Sequence, residues 1–212
     1  MKLKSNHNVI VVMAKHWRDE AVKTRLAASI GADRARKIYR SVAFDFWHNI
    51  ESPLWSRHLW SSSKQSQSDL NTWLSGSECI AAQKRGDLGE RMYHALTNTD
   101  FGNWIGISGT DAPDLDADYI SKLCQSLCSN DICIAPTHDG GYAFMAMKSV
   151  HSVLFKDIEW SSSRVLKQTL VACESANLKV HLGPYLNDLD DINDLQLFRS
   201  RGYKWAQNDF NF

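Results

Sequence analysis

Val9-Ile10-Val11-Val12-Met13, followed by Ala14-Lys15, is the stretch on which the reading of this chain turns. Four of its five residues are β-branched and none is charged. A run this short and this apolar suits a strand covered on both faces, as in a parallel sheet; a half-exposed strand would alternate. The apolar run from Val9 to Ala14 is six residues long. A membrane span needs roughly 18 and a signal core about 7–15. No membrane span is expected, and a soluble, cytoplasmic protein is the default.

Downstream, apolar bursts alternate with amphipathic stretches. A helical pattern begins near Thr24, breaks at Gly31 and resumes from Asp33, read as an N-cap, to about His48. Leu54–Trp60, Glu78–Ala82, Trp104–Ser108, Ile132–Ala135, Tyr142–Met147 and Lys179–Leu182 read as strands. Helices are expected from Ser68 to near Gly76, from Asp87 to Leu96 and from Asp116 through Leu123 and Leu127. Two more run from Ser161 to about Ala176 and from Asp191 to just before Gly202. Strands alternating with helices specify a three-layer, doubly wound α/β domain around a mostly parallel sheet. No linker, repeat or charge run divides residues 1–212, so a single domain is expected, with Ser61–Ser68 as a polar loop.

The composition excludes several classes. Apolar residues make up 43% of the chain, and there are only 11 Gly and 4 Pro, which rules out disorder and collagen-like repeats. Lys plus Arg number 24 against 24 Asp plus Glu, so there is no basic excess to attract nucleic acid. The five cysteines form no Cys-x-x-Cys pair, which argues against a disulfide framework or structural zinc. Cys124 and Cys128, four apart in a helical stretch, read as ordinary buried thiols. The eight histidines lack metal-ligand spacing, and Trp47, Trp55, Trp60 and Trp73 read as packing residues. No P-loop, dinucleotide fingerprint or Gly-x-Ser-x-Gly elbow is present.

Ligands of an open α/β sheet gather beyond the carboxyl ends of the strands. After the first strand come Lys15 and then Val22-Lys23-Thr24-Arg25-Leu26, two cations and a hydroxyl at a helix start, which suit a phosphate but equally a solvated turn. After the fourth, Gly109-Thr110-Asp111-Ala112-Pro113-Asp114-Leu115 offers Asp111 to a hard cation, or else merely caps the next helix. After the fifth, Asp139-Gly140-Gly141 lets backbone approach a ligand, or forms a hairpin turn. Asp188, Asp190, Asp191 and Asp194 crowd one loop; capping explains one or two of them and cation attraction the others.

In order and spacing, six blocks resemble a bacterial family of small GT-A-fold transferases. They are V-K-T-R-L (Val22–Leu26), Q-x-x-G-D-L-G-E-R-M (Gln83–Met92), G-T-D-A-P-D-L (Gly109–Leu115), D-G-G-Y (Asp139–Tyr142), L-F-x-x-I-x-W-S (Leu154–Ser161) and D-x-D-x-x-x-D-L (Asp188–Leu195). This is the DUF2064 family, which includes arsenosugar-associated glycosyltransferases and is related to molybdenum-cofactor and phospholactate guanylyltransferases. The resemblance implies a nucleotide-diphospho-sugar transferase-like fold and a metal-dependent glycosyltransferase that moves a sugar from a nucleotide sugar to a small acceptor. A nucleotidyltransferase and a degenerate, non-catalytic nucleotide-binding member are the alternatives.

By the same resemblance, Lys15, Lys23, Thr24 and Arg25 hold the donor phosphates, with Lys23 and Arg25 counted as catalytic, and Gln83 and Asp87 lie beside base or ribose. Asp111 leads a Mg²⁺ or Mn²⁺ site that Asp188 and Asp190 complete. Asp139 takes the acceptor proton, and Gly140 and Gly141 shape its surroundings. The family loop A-K-x-P-x-x-G is here Ala14-Lys15-His16-Trp17-Arg18-Asp19-Glu20. Trp17 and Glu20 are thus expected to bring bulk and negative charge to a phosphate loop, partly offset by Arg18.

Overall fold

The computed structural model describes residues 7–18, 21–62 and 67–207. Its strands are β1 (Asn8–Ala14), β2 (Trp55–Ser61), β3 (Cys79–Ala82), β4 (Ile105–Ser108), β5 (Ile132–Pro136), β6 (Tyr142–Met147) and β7 (Val180–Leu182). They form one seven-stranded sheet in the order β3-β2-β1-β4-β6-β5-β7. Only β6 runs antiparallel to its neighbours, pairing β4 and β5; every other pairing is parallel. The fold is therefore mixed α/β with a mostly parallel sheet.

The helices are α1 (Thr24–Ile30), α2 (Ala32–Asn49), α3 (Gln67–Trp73), α4 (Leu88–Thr97), α5 (Ala117–Gln125), α6 (Val165–Ser175), α7 (Ile192–Ser200) and α8 (Lys204–Gln207). The β1 run explains the layers, because its alternate residues face opposite ways and both sets are buried. Ile10 and Val12 pack with Phe46 and Trp47 of α2, Trp73 of α3 and Leu123 of α5. Val9 and Val11 pack with Met92 and Leu96 of α4 and Leu166 and Cys173 of α6. A third cluster, Leu26, Ile38, Val42, Phe198 and Trp205, fastens α1, α7 and α8 to the outer side of α2. Trp47 is fully buried, and its indole N–H donates to Ser75 O at 2.8 Å, so its large apolar burial leaves no polar atom stranded.

Several local expectations shift. Asp33 lies in the first turn of α2 rather than at its cap; Gly31, at φ 85°, ends α1 and begins α2, a conformation that suits glycine. Ser161 does not cap α6: it takes a left-handed φ of 64°, and the helix starts at Val165. α8 escaped the periodicity because it is a single turn. Of the two thiols read as buried, only Cys124 is; Cys128 is exposed. The middle of the Ser61–Ser68 loop lies outside the described residues. Among those residues, no helix is long and apolar enough to cross a membrane.

Candidate functional site

A cleft of about 790 Å³ lies over the carboxyl ends of β1, β4 and β5. Lys15, Lys23, Thr24, Arg25, Gln83, Asp111, Asp139, Gly141, Asp188 and Asp190 all line it, so the structure collects most of the residues singled out above. Gly140 and Asp87 do not line it.

The acidic side is built by two non-local connections. β5 and β6 form a hairpin whose turn carries Asp139, so the hairpin reading of Asp139-Gly140 holds. Thr137 bridges Leu186 in parallel, and His138 N donates to Leu186 O, which carries the chain beyond β7 alongside the turn and delivers Asp188 to it. One oxygen each from Asp139, Asp188 and Asp190 lies within 4.8 Å of the other two. Asp139 Oδ1 accepts from Thr137 Oγ1 at 2.6 Å and from Gly141 N at 2.9 Å. Among the described residues, its Oδ2 has no protein donor. Burial, followed by the charges of Asp139 and Asp190, pushes the Asp188 carboxyl up to about 7.

Gly140 acts behind this turn. Its φ is 90°, and a Cβ there would stand 2.1 Å from Ser163 O; its carbonyl accepts from Leu166 N at 2.9 Å. The glycine thus seats the Asp139 turn against the start of α6. Asp191 and Asp194 are occupied elsewhere: they make a capping box on α7, and Asp194 Oδ2 also accepts from Asp190 N at 2.8 Å. Capping therefore explains two of the four crowded carboxylates, and the other two face the cleft.

The cationic side centres on Lys23. This residue has a left-handed backbone, φ 49° and ψ 50°, which costs a non-glycine residue about 1 kcal/mol or more. Its side chain is 3% exposed, and Nζ lies 2.7 Å from Asp111 Oδ1 and 3.6 Å from Asp190 Oδ1. The ammonium also donates to Leu189 O. Leu189 N donates to Asp111 O at 2.8 Å, so the two acidic loops are cross-linked around it. Arg25 Nη1 is 3.4 Å from Asp190 Oδ2. Lys15 is exposed, and its backbone is pinned by Tyr39, whose hydroxyl accepts from Lys15 N and donates to Lys15 O.

Asp111, expected to lead a metal site, is thus engaged by Lys23, while the three-carboxylate group is Asp139, Asp188 and Asp190. Asp87 is the N-cap of α4, in a capping box with Glu90. Gln83 donates its amide to Trp60 O at 2.8 Å and Ala14 O at 3.3 Å. Trp17 does not line the cleft. It is 6% exposed, packs edge-on against Trp73 at 4.5 Å and has the Arg40 guanidinium 4.8 Å above its ring. Glu20 lies outside the described residues.

Arg91, Tyr39, Trp160 and the serines 161–163 also line the cleft and were missed. Arg91 and Trp160 stand inside quoted family blocks, which was the available signal. A second recess, of about 480 Å³, is lined by Asn49, Pro113, Asp114, Asp116, Ala117, Asp118 and Tyr203. Two of its acids are committed: Asp114 to Arg201 and Tyr203, and Asp116 to capping α5.

A family model described as an uncharacterised protein conserved in bacteria, DUF2064, matches residues 48–162, more than half of the chain. The chain belongs to the DUF2064 family. In three dimensions it is similar to a candidate nucleotide-diphospho-sugar transferase from Desulfovibrio desulfuricans G20. The TM-score is 0.84 and the identity 28%, over 93% of this chain and 88% of that one. It is also similar to a CMP:2-keto-3-deoxy-manno-octonic acid synthetase complexed with CTP (TM-score 0.59, 7% identity, 92% and 98% of the two chains). A third likeness is to Rv0371c of Mycobacterium tuberculosis H37Rv in complex with manganese (TM-score 0.53, 14% identity, 90% and 97%). The last two show the fold alone. No curated protein matches this DUF2064 chain.

Proposed function

We propose that this DUF2064 protein is a transferase that binds a nucleotide sugar across the cleft and passes the sugar to a small acceptor, with the nucleoside diphosphate as leaving group. The observation that carries this reading is the meeting, over the strand ends, of a cationic set (Lys15, Lys23, Arg25) with three carboxylates within 4.8 Å of one another. An all-oxygen, strongly acidic donor set suits a hard divalent cation. The Asp188 carboxyl is raised first by burial and then by the neighbouring charges of Asp139 and Asp190, charge that a bound cation would offset. Asp139, Asp188 and Asp190 would hold Mg²⁺ or Mn²⁺, which would neutralise charge on the departing diphosphate.

The chain's own residues do the rest. Arg25 contacts phosphate oxygens, and Lys23, enclosed beneath the cleft, adds its positive field; together they offset the charge that grows on the phosphates as the sugar–oxygen bond breaks. Arg25 and Lys15 are exposed enough to close on an incoming ligand; Lys23 is fixed in place by Asp111. Asp139, held by Thr137 and Gly141, has one open oxygen, Oδ2, which serves the ion, or takes the proton of an acceptor hydroxyl if Asp188 and Asp190 alone hold the ion.

Nucleotidyl transfer is the second reading, supported by the fourth cation, Arg91, in the same cleft, which would match the greater charge of a triphosphate. Titration calorimetry with nucleoside diphosphates and nucleotide sugars, with and without Mn²⁺, tests the proposal. Mn²⁺-dependent binding of a nucleotide sugar, followed by release of nucleoside diphosphate, is expected. Pyrophosphate release from a triphosphate would select the second reading. A folded sample that binds no nucleotide of either kind would leave a degenerate member.

A further inference from the structure

We infer that the acceptor is a neutral, hydroxylated ring, a free sugar or a cyclitol, whose C–H face rests on the indole of Trp160. The inference rests on the sugar-transfer reading above and deepens it by naming the acceptor class.

The cleft has two unlike walls. Lys23, Arg25 and Asp190 come from the starts of α1 and α7, which pack on α2. Leu88 and Met92 of α4, Trp160 and residues 161–163 ahead of α6 come from the opposite face of the sheet. Phosphates belong to the first wall, where the cations stand. The second wall carries one cation, Arg91, whose Nε donates to Gly86 O at 2.8 Å, near the β3 edge and away from the β5–β6 turn.

What lies against Asp139 is the serine loop. A Cβ on Gly140 would stand 2.1 Å from Ser163 O, and Gly140 O accepts from Leu166 N at 2.9 Å, so this loop abuts the Asp139 turn. Ser162 is spent: its Oγ donates to Glu159 O at 2.7 Å and accepts from Arg164 N at 3.2 Å. The Ser161 and Ser163 hydroxyls are exposed and have no protein partner among the described residues.

Trp160 is fixed beside them. It is half-buried, and a Cβ on Gly89 would stand 2.5 Å from its Nε1, so the indole lies directly on α4. Asp157 and Ser161, at φ 56° and 64°, bracket it with left-handed backbone, which non-glycine residues adopt only at a cost. Between them Glu159 pairs with Arg164, accepts from Gln168 Nε2 at 3.2 Å, and donates its N–H to Gln168 Oε1 at 2.8 Å. A loop strained at both ends and tied in the middle presents one aromatic ring to the cleft.

Charge then chooses the substrate class. An acceptor carrying phosphate or carboxylate would be repelled by Asp139, Asp188 and Asp190. A divalent cation among them is shared with the donor diphosphate, and Glu159 and Arg164 cancel each other. A neutral hydroxylated ring avoids this repulsion. It buries its C–H face on the indole and pairs its hydroxyls with Ser161 and Ser163.

The test takes whichever nucleotide sugar the protein hydrolyses with Mn²⁺ and measures how added acceptors speed nucleoside diphosphate release. The neutral set is glucose, galactose, mannose, ribose and myo-inositol; the anionic set is their phosphate esters and glucuronate. At least one neutral compound should speed release severalfold, and its phosphate ester should not. Trp160→Leu, checked for an unchanged melting curve, should raise KM for that acceptor about tenfold, more than KM for the donor, and Trp160→Phe should recover most of the loss. Equal acceleration by both sets, acceleration by the anionic set alone or by neither, or an unchanged acceptor KM in Trp160→Leu would overturn the inference and leave donor use standing. A protein that hydrolyses no nucleotide sugar would overturn both.

Discussion

Lys23 Nζ lies 2.7 Å from Asp111 Oδ1, and it is the ammonium that is enclosed, at 3% exposure, while the carboxylate is 48% exposed. The pair therefore uses Asp111 to hold a charged lysine under the cleft floor, within 3.6 Å of Asp190. A lysine in this position acts in two directions. On the proposed reading it attracts ligand phosphates, and it competes with a cation for Asp190.

Lys23→Met separates those effects. Nucleoside diphosphate affinity should fall about tenfold, the loss of one positive charge enclosed just beneath the cleft. Affinity for Mn²⁺ alone should rise, because Asp190 loses its competing ammonium. Calorimetry with each ligand separately reads both signs. A loss of Mn²⁺ affinity together with nucleotide affinity would mean that Lys23 serves only to hold the acidic loops together. Asp111→Asn should keep the fold and weaken nucleotide binding, because it leaves the enclosed ammonium without its nearest counter-charge.

Asp188→Asn should exchange binding for stability. The native carboxyl is half-buried and faces Asp139 and Asp190; loss of hydration and then those two charges push it up to about 7. Removing its charge relieves that repulsion in the metal-free protein, and about 1 kcal/mol of relief corresponds to roughly 2–4 °C in a chain of this size. Mn²⁺ affinity should drop at the same time. A variant that melts lower than the wild type without metal would contradict the repulsion argument.

How much of this was legible in the sequence depends on the range of the interaction. β1 was readable because four β-branched residues in a row can be buried only from both sides. The Asp139-Gly140 hairpin and the Asp191 cap were readable because turn and cap chemistry acts over two to four residues. The carboxylate trio was not, because Asp188 reaches Asp139 only through the Thr137–Leu186 bridge, and no local pattern announces which distant segments pair. Gln83 could be assigned to the cleft from its block, but the commitment of its amide depends on carbonyls of two other strands. The Trp17 side chain was misjudged for the same reason: its partners, Trp73 and Arg40, come from α3 and α2.

Trp17→Ala tests that placement. Truncating a tryptophan buried against Trp73 should cost about 3–5 kcal/mol. Urea denaturation should show a much lower midpoint, with nucleotide affinity of the folded fraction changed severalfold at most. If Trp17 instead crowded the phosphates, the variant would bind nucleotide more tightly and keep its stability.

His58 sets a pH dependence that runs against that of Asp188. It lies in β2, half-buried, opposite Val11 and Cys79, and burial lowers its pKa below the ordinary 6.5, with Glu78 opposing. Above 6.5 the imidazole is neutral in both folded and unfolded chains and adds no pH dependence. As pH falls through 6.5, the unfolded chain takes up the proton first, so stability declines until the lower folded pKa is passed. For Asp188, raised to about 7, the stabilising proton is bound below the ordinary carboxylate value of 3.8 and its contribution is lost as pH rises through 7. The two trends overlap between pH 5 and 7, so a single melting curve against pH mixes them. The difference between wild type and His58→Gln isolates the histidine: the wild type should lose more stability than the variant on going from pH 7 to 5. Parallel curves would mean that the folded protein protonates His58 as readily as the unfolded chain does, and that burial in β2 imposes no cost on its charge.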